Sequence, residues 1–253
     1  MRVTVLGSSG SVIGPESAAS GYLLTVDGHQ PVVLDFGPGV LGALQRVHDP
    51  NDVTVMLSHL HADHCLDLPG LLVWRRYHPV PASVRVPLWG PQGTGARIGA
   101  ASSEYAGQID DITDTFDVHH WAEGEPVELG PLTVVPTRVA HPPETYGMRI
   151  TDPDGRVLAF SGDTAECDAV VDLARDADVF LCEASWTHAP DERPPGLHLS
   201  GTEAGRIATK AGVWSLVLTH IPPWTSVDDV VAEATAEFAG PIDVARPGRV
   251  FDV

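Results

Sequence analysis

Residues 58–65 read SHLHADHC and set His59, His61, Asp63 and His64 within six positions. Imidazole and carboxylate together suit zinc, iron or manganese better than calcium or magnesium alone. In an extended segment, residues two apart share a side, so His59 and His61 can reach one point. A turn after them can aim Asp63 and His64 at a second point nearby. A polar loop of satisfied histidines would explain one such His. It explains four ligand-type residues at the end of an apolar segment poorly. More donors stand where other apolar segments end. His141 lies in VAHPP, Asp163 in FSGDT, where Gly162 permits close backbone approach, and His220 in VLTHIPP. Each alone is ambiguous, since a strand-end His is commonly a satisfied polar group and Asp163 can cap the next helix, as can Asp168. Jointly they can supply a site for two ions, which lower the pKa of water and clamp a phosphoryl group.

Strands punctuated by Gly and Pro, with helices between, must carry these groups. RVTVLG (2–7) alternates as a strand, 21–37 reads as a hairpin turning at Asp27-Gly28, 39–47 as a helix, and 53–61 as a buried strand running into the His cluster. A helix follows over 67–77, with Asp67 as its cap and Pro69 in its first turn, then a strand over 84–91. The second half has a strand pair around Gly130-Pro131 (125–141), strands in YGMRIT, RVLAFSGD, VFLCEAS and SLVLTHI, and helices over 167–177, 200–212 and 226–240. Ser200 and Glu203 stand at capping-box spacing, and Gly212 closes that helix. Grouped strands with helices in both halves indicate an α/β fold of two sheets faced by helices.

The 253 residues, 43% hydrophobic with scattered charges, suit one soluble domain over 1–253 with a sizeable core. No apolar run reaches the ~18 residues of a membrane span. The N-terminus lacks the regions of a signal peptide. Three scattered cysteines, Cys65, Cys167 and Cys182, do not make a disulfide framework, and the cytoplasm is the simplest location. A net charge of −19, with Lys210 the only lysine, argues against a nucleic-acid polymer as partner, because such binding draws on Lys and Arg contacts to phosphates. A small phosphate at a metal site stays compatible, since local charge dominates at short range.

HLHADH followed in order by AHP, SGDT and THI resembles the metallo-β-lactamase superfamily, over nearly the whole chain. LHLSGTEAGRIATKAGVWSLVLTHIPPW is similar to the branch containing tRNA 3′-processing endonucleases and class II-type cyclic-nucleotide phosphodiesterases. LGSSGSVIGPESAASGYLL, LDLPGLLVWRRYHP and LCEASWTH resemble the actinobacterial atypical class II cAMP phosphodiesterases. The resemblance implies an αββα sandwich, two mixed β-sheets flanked by helices, with two divalent ions at the sheet edge. Zinc is the first expectation, manganese or iron the others. It assigns His59, His61 and His141 to one ion, Asp63, His64 and His220 to the other, and Asp163 as the bridge, with a shared hydroxide as nucleophile. Asp63 then orients the hydroxide or takes its proton. His198, just before the Ser200-capped helix, is the expected proton donor to the leaving 3′ oxygen or a hydrogen-bond donor to phosphate. Glu183 is either a support for a metal-bound His or a buried partner of an Arg.

The processing endonucleases carry a long tRNA-gripping arm, commonly between the third-motif His and the GDT Asp. Here the connection from His141 to Asp163 holds only two strands and the Asp154-Gly155 turn. The expected substrate is therefore a small phosphodiester, 3′,5′-cAMP hydrolysed to 5′-AMP. An RNA 3′-end nuclease, a thioester or lactam hydrolase of the same fold, and a metal-stabilised binding protein are the alternatives. Relatives are often dimers, and the aromatic-rich LLVWRRYHP could serve a homodimer interface. Among weaker candidates, Ser8, Ser9 and Ser11 read as a turn, Arg75 and Arg76 as an exposed helix face rather than phosphate contacts, and Cys65 as a small buried residue. Trp186 and Trp224 could stack on a base, though core or interface is the commoner role of such residues.

Overall fold

The computed structural model describes residues 1–80, 82, 84–189 and 193–253. Its first half runs β1 (Arg2–Gly7), β2 (Gly21–Thr25), β3 (Val32–Leu34), α1 (Val40–Leu44), β4 (Thr54–Met56), α2 (Ala62–Cys65), α3 (Leu68–Tyr77), β5 (Val86–Gly90), α4 (Thr94–Ser102) and β6 (Phe116–His120). The second runs β7 (Val127–Leu129), β8 (Leu132–Arg138), β9 (Tyr146–Thr151), β10 (Val157–Phe160), α5 (Asp168–Ala174), β11 (Val179–Glu183), α6 (Gly201–Ala211), β12 (Ser215–Thr219), α7 (Val227–Glu237), β13 (Ile242–Val244) and β14 (Val250–Asp252). Two seven-stranded sheets result, ordered β14-β1-β2-β3-β4-β5-β6 and β13-β12-β11-β10-β9-β8-β7. Each is antiparallel at one side and parallel at the other, with the change at β3 in the first and at β10 in the second. This is the expected αββα sandwich of two mixed sheets.

Three apolar layers hold it. Between the sheets, Tyr22, Leu24, Leu34 and Met56 face Val134, Met148, Ile150 and Leu158. Full burial of such side chains contributes about 1.5–3 kcal/mol each before entropy is set against it. Outside the first sheet, Leu44 of α1 and Leu68, Leu71 and Leu72 of α3 cover Val33, Val55 and Leu88. Outside the second, α5, α6 and α7 cover Phe180, Leu216 and Leu218. One polar strut crosses the middle layer: the Tyr22 hydroxyl on β2 lies 2.6 Å from Thr219 Oγ1 on β12. The helix α6 has both arms of its capping box, Glu203 N to Ser200 Oγ at 3.2 Å and Ser200 N to Glu203 Oε2 at 2.7 Å, and it ends at Gly212 with φ 68.

Several expectations need correction. The buried strand expected over 53–61 keeps a ladder only over Thr54–Met56, because the Asp35 side chain takes the Ser58 N–H beyond it. Asp67 precedes α3 but does not cap it. Its Oδ2 accepts from Leu41 N at 2.7 Å, so it caps the neighbouring helix α1, which is itself shorter than the expected 39–47. Neither Asp163 nor Asp168 caps α5, whose N-cap is Cys167 with no side-chain bond. Short elements with weak patterning, α2, α4, β6, β13 and β14, were not read from the sequence.

Candidate metal centre

Asp35 directly follows β3, adopts φ 58 and is wholly buried. Its carboxylate accepts from Ser58 N at 2.8 Å, Ser58 Oγ at 3.0 Å and Ser20 Oγ at 3.1 Å. The chain after β4 is thereby drawn off the sheet in extended form, until His61 caps the single turn α2 that carries Asp63 and His64. Gly37 makes room for that turn: a Cβ there would lie 1.9 Å from the Asp63 carbonyl oxygen. On the second sheet, Ala165 N bonds to Ala140 O at 2.8 Å, tying the segment of Asp163 to that of His141. His220 follows β12 with φ 56, packed on Gly10, where a Cβ would lie 2.2 Å from the His220 carbonyl oxygen.

Two foursomes of ligand atoms result, His59–His61–His141–Asp163 and Asp63–His64–Asp163–His220, each with all its atoms within 4.8 Å of one another. In the first, His61 Nδ1 is 3.1 Å from His59 Nε2 and 3.2 Å from His141 Nε2. In the second, His64 Nε2 and His220 Nε2 are 3.1 Å apart, and Asp63 Oδ2 is 3.1 Å from His220 Nε2. Asp163 belongs to both, with Oδ2 at 3.6 Å from His59 Nε2 and 3.3 Å from His64 Nε2.

The opposite nitrogens of four of these rings are engaged by oxygen. His64 Nδ1 lies 2.7 Å from Asp35 Oδ2, and His141 Nδ1 lies 2.7 Å from the Leu197 carbonyl; both oxygens accept an N–H. Ser58 Oγ donates to Asp35, so it accepts from His59 Nδ1 at 3.0 Å. Ser185 Oγ donates to Glu183 Oε2 at 2.9 Å, so it accepts from His220 Nδ1 at 2.9 Å. With these hydrogens turned outward, neutral rings point lone pairs at one another and at two carboxylates. Cations fit that set, and outward acceptors of this kind are what orient metal-bound imidazoles.

The electrostatics agree. Burial, then His64, pushes the pKa of His59 well down; burial and His141 lower His61, and burial lowers His141. Burial opposes the charge on His64, but Asp163, Asp35 and Asp63 outweigh it and hold its pKa well up. Burial also opposes the charge on Asp163, and His220, His64 and His59 reverse this, keeping it well below the carboxylate range. The carboxylates that favour positive charge at His64 would equally favour a cation held by its ring.

His198 stands beside both foursomes, its ring 5.2 Å from that of His141 and 5.5 Å from that of His220. Its Nδ1 is 3.0 Å from Glu183 Oε1, and its pKa is raised to about 9, burial being outweighed by Glu183. Glu183 is itself fixed by Thr164 N at 2.7 Å and by Ser185 Oγ.

The profile described as a beta-lactamase superfamily domain matches residues 31–221, which span every ligand in both foursomes. The chain belongs to the metallo-β-lactamase superfamily. Over its full length it is 64% identical to the uncharacterized protein Rv1339 of Mycobacterium tuberculosis, covering 92% of that protein. It is 30% identical to a ribonuclease Z of Thermobifida fusca, with 97% of this chain and 92% of that one aligned. The crystal structure of the metallo-β-lactamase fold protein YhfI from Bacillus subtilis superposes with a TM-score of 0.85 at 26% identity, covering 99% of both chains.

On this metallo-β-lactamase scaffold, the other sequence candidates scatter. Glu183 bonds to His198, Thr164 and Ser185, and to no Arg among the described residues. Arg75 is buried, not on an exposed face: its guanidinium bonds to the Asn51 carbonyl at 2.6 Å and to the Val84 carbonyl, tying α3 to the neighbouring loops. Arg76 pairs with Asp110 at 2.6 Å and Asp114 at 2.9 Å, so it is not a free phosphate contact. Cys65 Sγ faces the His61 carbonyl at 3.2 Å, and burial pushes its thiol up to about 11, which suits a packed residue. Ser8 bonds to the Ala245 carbonyl at 3.0 Å, while Ser11 reaches a cavity beside His198. Sequence reasoning missed Asp35, Ser58 and Ser185. Asp35 had a signal: LDFG, like FSGDT, puts an acid beside a glycine at the end of an apolar strand.

Proposed function

We propose that this metal-dependent hydrolase of the metallo-β-lactamase superfamily cleaves a small cyclic nucleotide, with 3′,5′-cAMP as the first candidate and 5′-AMP as its product. The observation that carries the reading is the Glu183-held His198 standing beside both ligand foursomes. Zinc, manganese or iron held by the seven ligands would supply an activated water and balance charge building on a phosphoryl group. The chain's own residues supply the rest. Asp63 is the more open of the two inner carboxylates, 11% exposed against 3% for Asp163, and is placed to orient the attacking water or take its proton. As the water oxygen bonds to phosphorus and the P–O3′ bond breaks, His198 gives the departing 3′ oxygen its proton. The tight β9–β10 connection and the net charge of −19 support a small substrate over a polymer.

The ribonuclease Z likeness favours a second reading, cleavage at RNA 3′ ends. One preparation of metal-loaded protein, offered cyclic nucleotides, cyclic dinucleotides, pre-tRNA, nitrocefin and a glutathione thioester, decides. Turnover of pre-tRNA with cyclic nucleotides untouched would sink the first reading, and turnover confined to nitrocefin or the thioester would sink both. His198→Ala is expected to lower kcat about 10²–10⁴-fold with metal content intact by elemental analysis. Unchanged turnover would remove its role as proton donor.

A further inference from the structure

A cavity of ≈ 220 Å³ opens beside His198, lined by Ser11, Trp186, Leu197, Pro222 and Trp224. The Trp186 ring centroid is 6.0 Å from that of His198, so the cavity borders the metal ligands. Two of its residues are not explained by folding. Trp224 leaves 65% of its surface exposed, forgoing the burial a large indole usually contributes. Ser11 holds φ 63, a conformation uncommon for a residue with a side chain. Both come from loops fastened to the metal ligand His220. Gly10 packs directly on its backbone, and Thr225, beside Trp224, bonds through Oγ1 to the Ser185 carbonyl at 3.0 Å. The backbone that carries Ser11 and Trp224 is therefore anchored beside the ligand cluster before any ligand arrives.

Pockets that enclose a whole drug-sized molecule run to about 300–1,000 Å³. This smaller one takes part of a ligand, and the part must be joined to a group lying over the foursomes. Apart from His198 its lining is uncharged, and indole faces stack well on a planar π-ring. We infer that Trp224 and Trp186 form a stacking subsite for the nucleobase of the substrate, with the Ser11 hydroxyl at the ring edge. The inference rests on the phosphodiesterase reading and names which end of the substrate the protein grips.

The test compares 5′-AMP with ribose 5-phosphate, by calorimetry on the metal-loaded full chain. The expected result is 5′-AMP bound about tenfold tighter, the scale of one base stacked on one aromatic ring. Trp224→Ala should abolish that preference and the fluorescence quenching by 5′-AMP, whereas Trp224→Phe should retain the preference. With cAMP, Trp224→Ala should raise KM about tenfold with a smaller change in kcat. Equal binding of the two probes, no binding of either, or an unchanged preference in Trp224→Ala would overturn the subsite. The two proposals fail separately. Hydrolysis of cAMP with Trp224→Ala indistinguishable from the parent chain removes the subsite alone. A base preference lost in Trp224→Ala, without cyclic-nucleotide turnover, removes the substrate reading alone.

Discussion

Two side chains that bear on the chemistry act through a neighbour. Glu183 sets the charge of His198, whose pKa of about 9 keeps it protonated at neutral pH; the proton is lost as pH rises through that value. A step that needs this proton should show an alkaline limb, lying below that value where bound ions repel the proton. In Glu183→Gln the cause of the raised pKa is gone, so the limb should move to lower pH, read from kcat against pH. A limb that stays in place would assign it to another group. Asp35 acts on His64 in the same indirect way. Asn tolerates the left-handed backbone at that position but lacks the charge. Asp35→Asn should therefore keep the fold and lower metal affinity about 10–100-fold, measured by competition with a chelator.

At the scale of elements, α6 carries His198 at its entrance and rests on α7 through glycines. A Cβ at Gly201 would lie 2.2 Å from the Val230 carbonyl oxygen, and one at Gly205 would lie 2.6 Å from that of Ala234. Gly201→Ala is expected to destabilise by about 1–3 kcal/mol, read from the urea midpoint, because the helices must separate to admit the methyl. The sequence made α6 legible, cap and end included, because Ser200, Glu203 and Gly212 act locally. The seven positions that the fold brings together were legible for a related reason: His59, His141, Asp163 and His220 stand just past apolar runs, and His61, Asp63 and His64 follow within the same short motif as His59. Asp67 and Asp35 misled or escaped because their partners are remote in sequence. Asp67 bonds to Leu41, and Asp35 bonds to Ser20, Ser58 and His64. No local spacing encodes such pairings. The three-residue strands β13 and β14 escaped because their pairing depends on a neighbour already in place.

Over the whole molecule, a groove of ≈ 540 Å³ lies between α3 and the segment after α4, where Val73, Tyr77, Tyr105 and Ile109 stand among Glu104, Asp110 and Asp111. Tyr77 is 77% exposed and Val73 56%, apolar surface that a partner could cover. Arg76 inside the groove is already neutralised by Asp110 and Asp114. We propose a second copy of the chain as its cover. Light scattering on the eluted protein should then give twice the chain mass, and Tyr77→Glu should give one chain mass with metal content unchanged. A parent chain that elutes as a monomer at all concentrations would overturn the homodimer.

The division of ligands between the sheets has a mechanical consequence. Each foursome takes two residues from the first sheet's side, His59 and His61 or Asp63 and His64, and two from the second's, His141 or His220 with the shared Asp163. Neither half of the molecule could hold an ion in such a foursome alone. A loaded site is a clasp across the open end of a sandwich whose middle is already pinned by Tyr22 and Thr219. Parting the sheets and releasing the ions then become one event. The pair of ions should leave together, at the rate at which the halves spring apart.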